Sequence, residues 1–159
     1  MLKRFALAAI AVSLASSAYA QNPRGEAKAT VAGKAVAIDY GRPSLNKRDM
    51  LAQAQVGQAW RMGADAATSL KTDADLAFGS VQVPKGEYVL TATKVAPDQW
   101  QLNVLSMADK AKVADVPLTA SKGDASVEQF TIDVTGSGNK GDLKLRWGTT
   151  VLATSFTGK

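Results

Sequence analysis

Three stretches of this chain alternate apolar and polar residues with a period of two, and that alternation restricts the fold more than any other feature. Trp100, Leu102 and Val104 are separated by Gln101 and Asn103; Phe130, Ile132 and Val134 by Thr131 and Asp133; Leu143, Leu145 and Trp147 by Lys144 and Arg146. Successive side chains of an extended strand point to opposite faces, so each stretch reads as an antiparallel strand with one buried face. Trp100 and Trp147 fall on the apolar faces and are expected in the core. Turn signals stand between the strands at Pro84-Lys85-Gly86, Ala96-Pro97-Asp98, Lys122-Gly123-Asp124 and Gly138-Asn139-Lys140-Gly141. Ala27 to Val31 and Lys34 to Tyr40 form a further pair around Ala32-Gly33, and Val151 to Phe156 is the last strand. The expected fold is mainly β, an antiparallel β-sandwich or jelly-roll-like arrangement of about eight to ten strands. One short helix is expected over the Ala-rich stretch from Arg48 to Gln55.

The first twenty residues follow a different logic. Lys3 and Arg4 precede an apolar run from Phe5 to Leu14 interrupted only by Ser13, and Ala18-Tyr19-Ala20 then supplies the small-x-small pattern of a signal peptidase site. A membrane span needs roughly 20 apolar residues, so this run is too short for an anchor. Residues 1–20 are therefore expected to be a cleaved signal peptide, with a periplasmic or secreted mature chain that carries no transmembrane segment. Residues 21–26 read as a loose N-terminal tail and residues 27–159 as a single domain. A chain of that size buries about 68% of its unfolded surface, enough for a core without covalent staples.

Residues that are missing narrow the chemistry. The chain has no histidine and no cysteine. Ser-His-Asp, Cys-His and zinc-histidine chemistry each need an imidazole or a thiolate, and all are excluded together. Catalysis would fall to carboxylates, Lys, Tyr, Ser, Thr and Arg, and the expectation leans away from an enzyme. The acidic pair Asp73 and Asp75 lacks the later glycine and bidentate glutamate of a calcium loop, so no metal and no cofactor is expected. The positive charge is spread thinly, without the basic stripe and interleaved aromatics of a nucleic-acid surface.

Two segments escape the alternation. Tyr40-Gly41-Arg42-Pro43-Ser44 is followed by Arg48, and Ala59-Trp60-Arg61-Met62-Gly63-Ala64-Asp65-Ala66-Ala67-Thr68 comes shortly after. Guanidinium forks pair with carboxylates or phosphates and stack on aromatic rings. Tyr40, Arg42, Arg48, Trp60 and Arg61, with Asp65 and Thr68, form the candidate cluster, and two readings of it stand side by side. Either the arginines line a pocket for an anion or a sugar, or they pair with Asp39, Asp49 and Asp65 to pin a long connection. For Arg61 the second is expected, with burial against Asp39 or Asp65. Trp60 fits neither strand nor helix periodicity and is the aromatic expected at the surface.

The same segments carry a family resemblance. Tyr40 to Ser44, then Arg48, then Trp60 to Thr68, then Pro84-Lys85-Gly86-Glu87-Tyr88 resemble the pattern of a bacterial domain-of-unknown-function family, DUF2911. The similarity runs from about Lys34 to Val104 and returns through Glu128 to Ile132 and Leu143 to Trp147. It implies an exported β-rich protein and brings no activity with it. Asp65 stands where the family pattern has asparagine, and Ala66 where it has glutamate. The loss of that glutamate weakens a carboxylate-based reaction for this chain.

From these residues the expected function is that of an exported binding or structural module using arginine-aromatic loops. Its partner would be an anionic or carbohydrate ligand, or another envelope protein. The alternative is a hydrolase of envelope or extracellular glycans, with Asp39 and Asp65 as its carboxylate pair.

Overall fold

The computed structural model describes residues 20–159. The proposed leader lies outside the described residues, apart from Ala20. Ten strands follow in chain order: β1 (Arg24–Val31), β2 (Lys34–Gly41), β3 (Ala59–Trp60), β4 (Ser69–Thr72), β5 (Leu76–Phe78), β6 (Val81–Val83), β7 (Gly86–Ala96), β8 (Gln99–Ser106), β9 (Lys112–Ser137) and β10 (Lys140–Gly158). They make one antiparallel sheet in the order β1-β2-β4-β7-β8-β9-β10-β5-β6, with β3 paired to a further stretch of β7.

Turn chemistry sets the hairpins. Ala32 and Gly33 both take positive φ, at 53° and 73°, and join Val31 to Lys34 directly opposite. That is the left-handed pair of a two-residue loop whose twist matches its strands. The Ala32 N–H donates to the Gly138 carbonyl at 2.7 Å, which ties this hairpin tip to the β9–β10 tip. The sheet thus curls until β1 and β9 come together, and a single core fills the inside.

The alternation holds where it was read. Leu102, Val104, Phe130 and Leu145 are at most 1% exposed, and Trp100 and Trp147 are buried beside them. β9 and β10 are long because each serves two neighbours. β9 pairs with β8 over Lys112 to Thr119, then with β10 over the remainder. Lys122-Gly123-Asp124, expected as a turn, lies inside β9. Pairing to β10 is interrupted there, between Lys122↔Thr150 and Val127↔Gly148, so the glycine marks an irregularity in a continuous strand.

Two expectations are corrected. β1 begins at Arg24, so the last three residues of the expected tail, Arg24 to Glu26, join the ladder, with Glu26 directly opposite Asp39, while residues 21–23 stay outside it. The helix over Arg48 to Gln55 shrinks to one turn, with Gln53 N donating to Asp49 O at 3.1 Å and Ala54 N to Leu51 O at 3.3 Å. A helix this short gains few bonds against the cost of its first turn. Tertiary contacts fix the segment instead: Leu51 is buried, and Gly57 N donates to Lys94 O at 2.8 Å. Among the described residues no helix is long and apolar enough to cross a membrane.

Candidate functional site

At Gly41 the chain leaves β2 and crosses to the edge of β9 that β8 has left. Arg42 N donates to Pro23 O at 2.7 Å, Phe130 N to Pro43 O at 2.9 Å, and Leu45 N to Glu128 O at 2.9 Å, with Ser44 bridged to Gln129. Side chains complete this seam. Tyr40 is buried, and its hydroxyl accepts the Ile132 N–H at 3.0 Å. Arg42 Nε donates to Phe130 O at 3.2 Å and its Nη2 to Thr131 Oγ1 at 3.2 Å. The Tyr40–Ser44 run is thus a splice between two parts of the sheet.

The second segment is locked onto the first by backbone contact. A Cβ at Gly41 would run into the backbone of Ala64. One at Gly63 would stand 2.9 Å from the Gly41 carbonyl oxygen and 3.0 Å from Thr68 Oγ1. Gly63 also has φ of 147°, open to glycine and strained for other residues. Thr68 is fully buried and donates to the carbonyl of Met62, itself buried at a positive φ of 55°. Trp60 does not stand free at the surface. Half-buried, it stacks on Trp147 at 5.8 Å and meets Phe130 and Trp100 edge-on at 4.9 and 6.5 Å.

The remaining arginines divide. Arg61 is exposed, and its Nη2 donates to the backbone carbonyl of Asp65, not to a carboxylate. The buried Arg61–acid pair is therefore absent, because both acids are engaged elsewhere. The Asp65 carboxylate accepts Asn22 N at 2.8 Å, and Asp39 pairs with Arg24. Arg48 is exposed and in no ion pair among the described residues. The structure thus gathers Tyr40, Arg42, Trp60, Asp65 and Thr68 into one clasp, with Arg61 at its rim and Arg48 pointing into solvent.

Asp49 pins the connection's far side. Its Oδ2 accepts Thr149 N at 3.0 Å and Thr149 Oγ1 at 3.2 Å, while Oδ1 accepts Ala52 N at 3.2 Å. In the Pro84–Tyr88 turn, the Tyr88 hydroxyl donates to Pro84 O. Burial, and then the nearby Asp75 carboxylate, push the Tyr88 phenol above its ordinary value.

What the clasp positions is a cleft of about 330 Å³ between the connection and one end of the core. Its lining takes Leu51 and Ala52 from the connection and Lys94, Asp98, Trp100, Lys122 and Thr150 from the strands and turn at the core's end. Lys94 lies directly opposite Trp100, and Lys122 opposite Thr150. Sequence reasoning missed Lys94, Lys122 and Thr150, although their register with the apolar faces of β7, β9 and β10 was a usable signal, and it placed Trp100 in the core. Among the described residues no group of three or more acidic side chains is arranged to hold a metal ion.

No curated protein and no solved structure matches the chain. A family model described as protein of unknown function DUF2911 matches residues 22–156, and the chain belongs to that family.

Proposed function

We propose that the protein is an exported, non-enzymatic binding module whose ligand sits in the cleft beneath the connection from Arg42 to Gln58. One observation carries this reading: a cleft whose lining includes two lysines, an aspartate, a tryptophan and two threonines lies where an irregular connection is pinned to a rigid sheet. Binding groups concentrate on loops held by such scaffolds, and small-molecule sites often occupy the mouths of curled sheets. The arginine-aromatic segments serve this site indirectly, by fixing the connection that roofs it.

Glycan hydrolysis is less well supported. Asp39 is paired with Arg24, and the Asp65 carboxylate is taken by the Asn22 N–H. Neither acid lines the cleft.

The leader motif supports export, with residence in the periplasm or the medium. Mass spectrometry of the exported fraction is expected to find a chain starting at Gln21, and an intact Met1 start would contradict it. Binding is tested by a thermal-shift screen of the leaderless chain against sugars, phosphates, carboxylates and cell-wall fragments. A ligand at a hundredfold excess over Kd adds about 2.7 kcal/mol to stability. A hit that is lost on replacing cleft residues supports the module, and a screen without any hit counts against it.

A further inference from the structure

At one end of the core the inward positions stop being apolar on three strands at once. On β7 the inward residues Tyr88, Leu90 and Ala92 lead to Lys94; on β9, Val116, Leu118 and Ala120 lead to Lys122. On β10 the partner of Ala120 is the buried Leu152, and the partner of Lys122 is Thr150. Directly opposed residues share a face, so Lys94 with Trp100 and Lys122 with Thr150 continue the core face to its rim.

A lysine in core register must carry its ammonium to water or to a partner. Half-buried Lys94 reaches the Ala54 carbonyl at 3.1 Å, which uses one of its three N–H donors. Among the described residues neither Lys94 nor Lys122 forms an ion pair. Asp98 is the only carboxylate among the cleft's lining residues, and nearby Asp49 is occupied by Thr149 and Ala52. The lining itself therefore carries two lysines against one carboxylate, with the charge of Asp49 turned toward Thr149 and Ala52.

We propose that this mouth binds a small ligand bearing a carboxylate or phosphate group, with its oxyanion between Lys94 and Lys122 and its body against Trp100 and Thr150. This rests on the binding-module reading above and names the ligand class. A charge-assisted bond to an ammonium is about twice as strong as a neutral one, and at Lys94, half-buried where Lys122 is exposed, partial burial strengthens it further. Lysine acts as a point charge, so it suits either oxyanion. A volume of about 330 Å³ is at the small end of ligand sites and fits a single sugar acid or sugar phosphate better than a polymer.

Calorimetric titration of the leaderless chain with D-glucuronate, glucose 6-phosphate and D-glucose tests the proposal, the two anions separating a carboxylate from a phosphate source. At least one anion is expected to bind about tenfold or more tighter than glucose, and more weakly as salt is added. Lys94→Met and Lys122→Gln should each weaken that anion about tenfold. Lys144→Gln removes the same charge from an exposed position on β10 and should leave binding unchanged. Lack of binding by both anions overturns the proposal, as does equal affinity in wild type and Lys122→Gln. Glucose binding as tightly as the anions, and lost in Thr150→Val, would overturn the anion class while leaving the binding module intact.

Discussion

The hydroxyl of Tyr40 accepts the backbone N–H of Ile132 at 3.0 Å, so a side chain stands in for a missing rung of the ladder between β2 and β9. Both residues are buried, so bulk solvent does not reach the bond. Tyr40→Phe keeps the ring against Phe130 but strands a buried donor. The expected loss is about 1–3 kcal/mol, measured by urea unfolding. A change within about 0.5 kcal/mol would mean that the seam does not depend on this bond.

Gly41→Ala tests the clasp itself. The added methyl would collide with the backbone of Ala64, which cannot swing away as a flexible side chain would. Overpacking of this kind typically costs about 1–3 kcal/mol. Far-UV and thermal scans should show a lower melting temperature with the β signature retained. An unchanged melting temperature would contradict the close packing of the two segments.

Arg61→Ala should have little effect. Exposed, and bonded only to the Asp65 carbonyl, Arg61 strands no buried charge when removed. A cost within about 1 kcal/mol is expected, or roughly 2–4 °C for a domain of this size. A drop of about ten degrees would restore the buried ion pair expected from the sequence.

Alkaline stability is tied to Tyr88. Burial and the Asp75 carboxylate raise its folded-state value above the unfolded one, near 10. The folded state then keeps its proton longer than the unfolded chain. This contribution is fully present below about pH 10 and lost as pH rises through the folded value. In equilibrium unfolding, Tyr88→Phe should be less stable at neutral pH, where the bond to Pro84 O is lost, and should decline less steeply above about pH 10. Parallel curves for the two proteins would contradict this linkage.

How much was legible follows from where each signal resides. The strands at Trp100–Val104, Phe130–Val134 and Leu143–Trp147 were readable because a half-buried face writes itself into every second residue. The hairpin at Ala32-Gly33 was readable from its neighbours. Lys122-Gly123-Asp124 resembled a turn, because the same residues suit a turn and an irregular strand bend. Arg61 was expected beside an acid on sequence proximity, but the Asp65 carboxylate accepts the backbone N–H of Asn22, just ahead of β1 and distant in sequence. Trp60 looked unattached because its partners, Trp147 and Phe130, are distant in sequence. The cleft lysines read locally as ordinary charges, and strand pairing shows that Lys94 and Lys122 stand at the rim in register with the core face.

Two-dimensional 1H–15N NMR of the leaderless chain, titrated with whichever of glucuronate and glucose 6-phosphate binds, tests most directly whether the cleft is the binding site. Shifts are expected at the amides of Leu51, Ala52, Lys94, Lys122 and Thr150 and at the Trp100 indole N–H. The groove around Gly79, Lys140 and Asp142, lined by different residues, should stay unchanged. Shifts confined to Arg42, Arg48 and Arg61 would contradict the cleft and return the site to the arginine segments, and an unchanged spectrum would contradict binding in the cleft altogether.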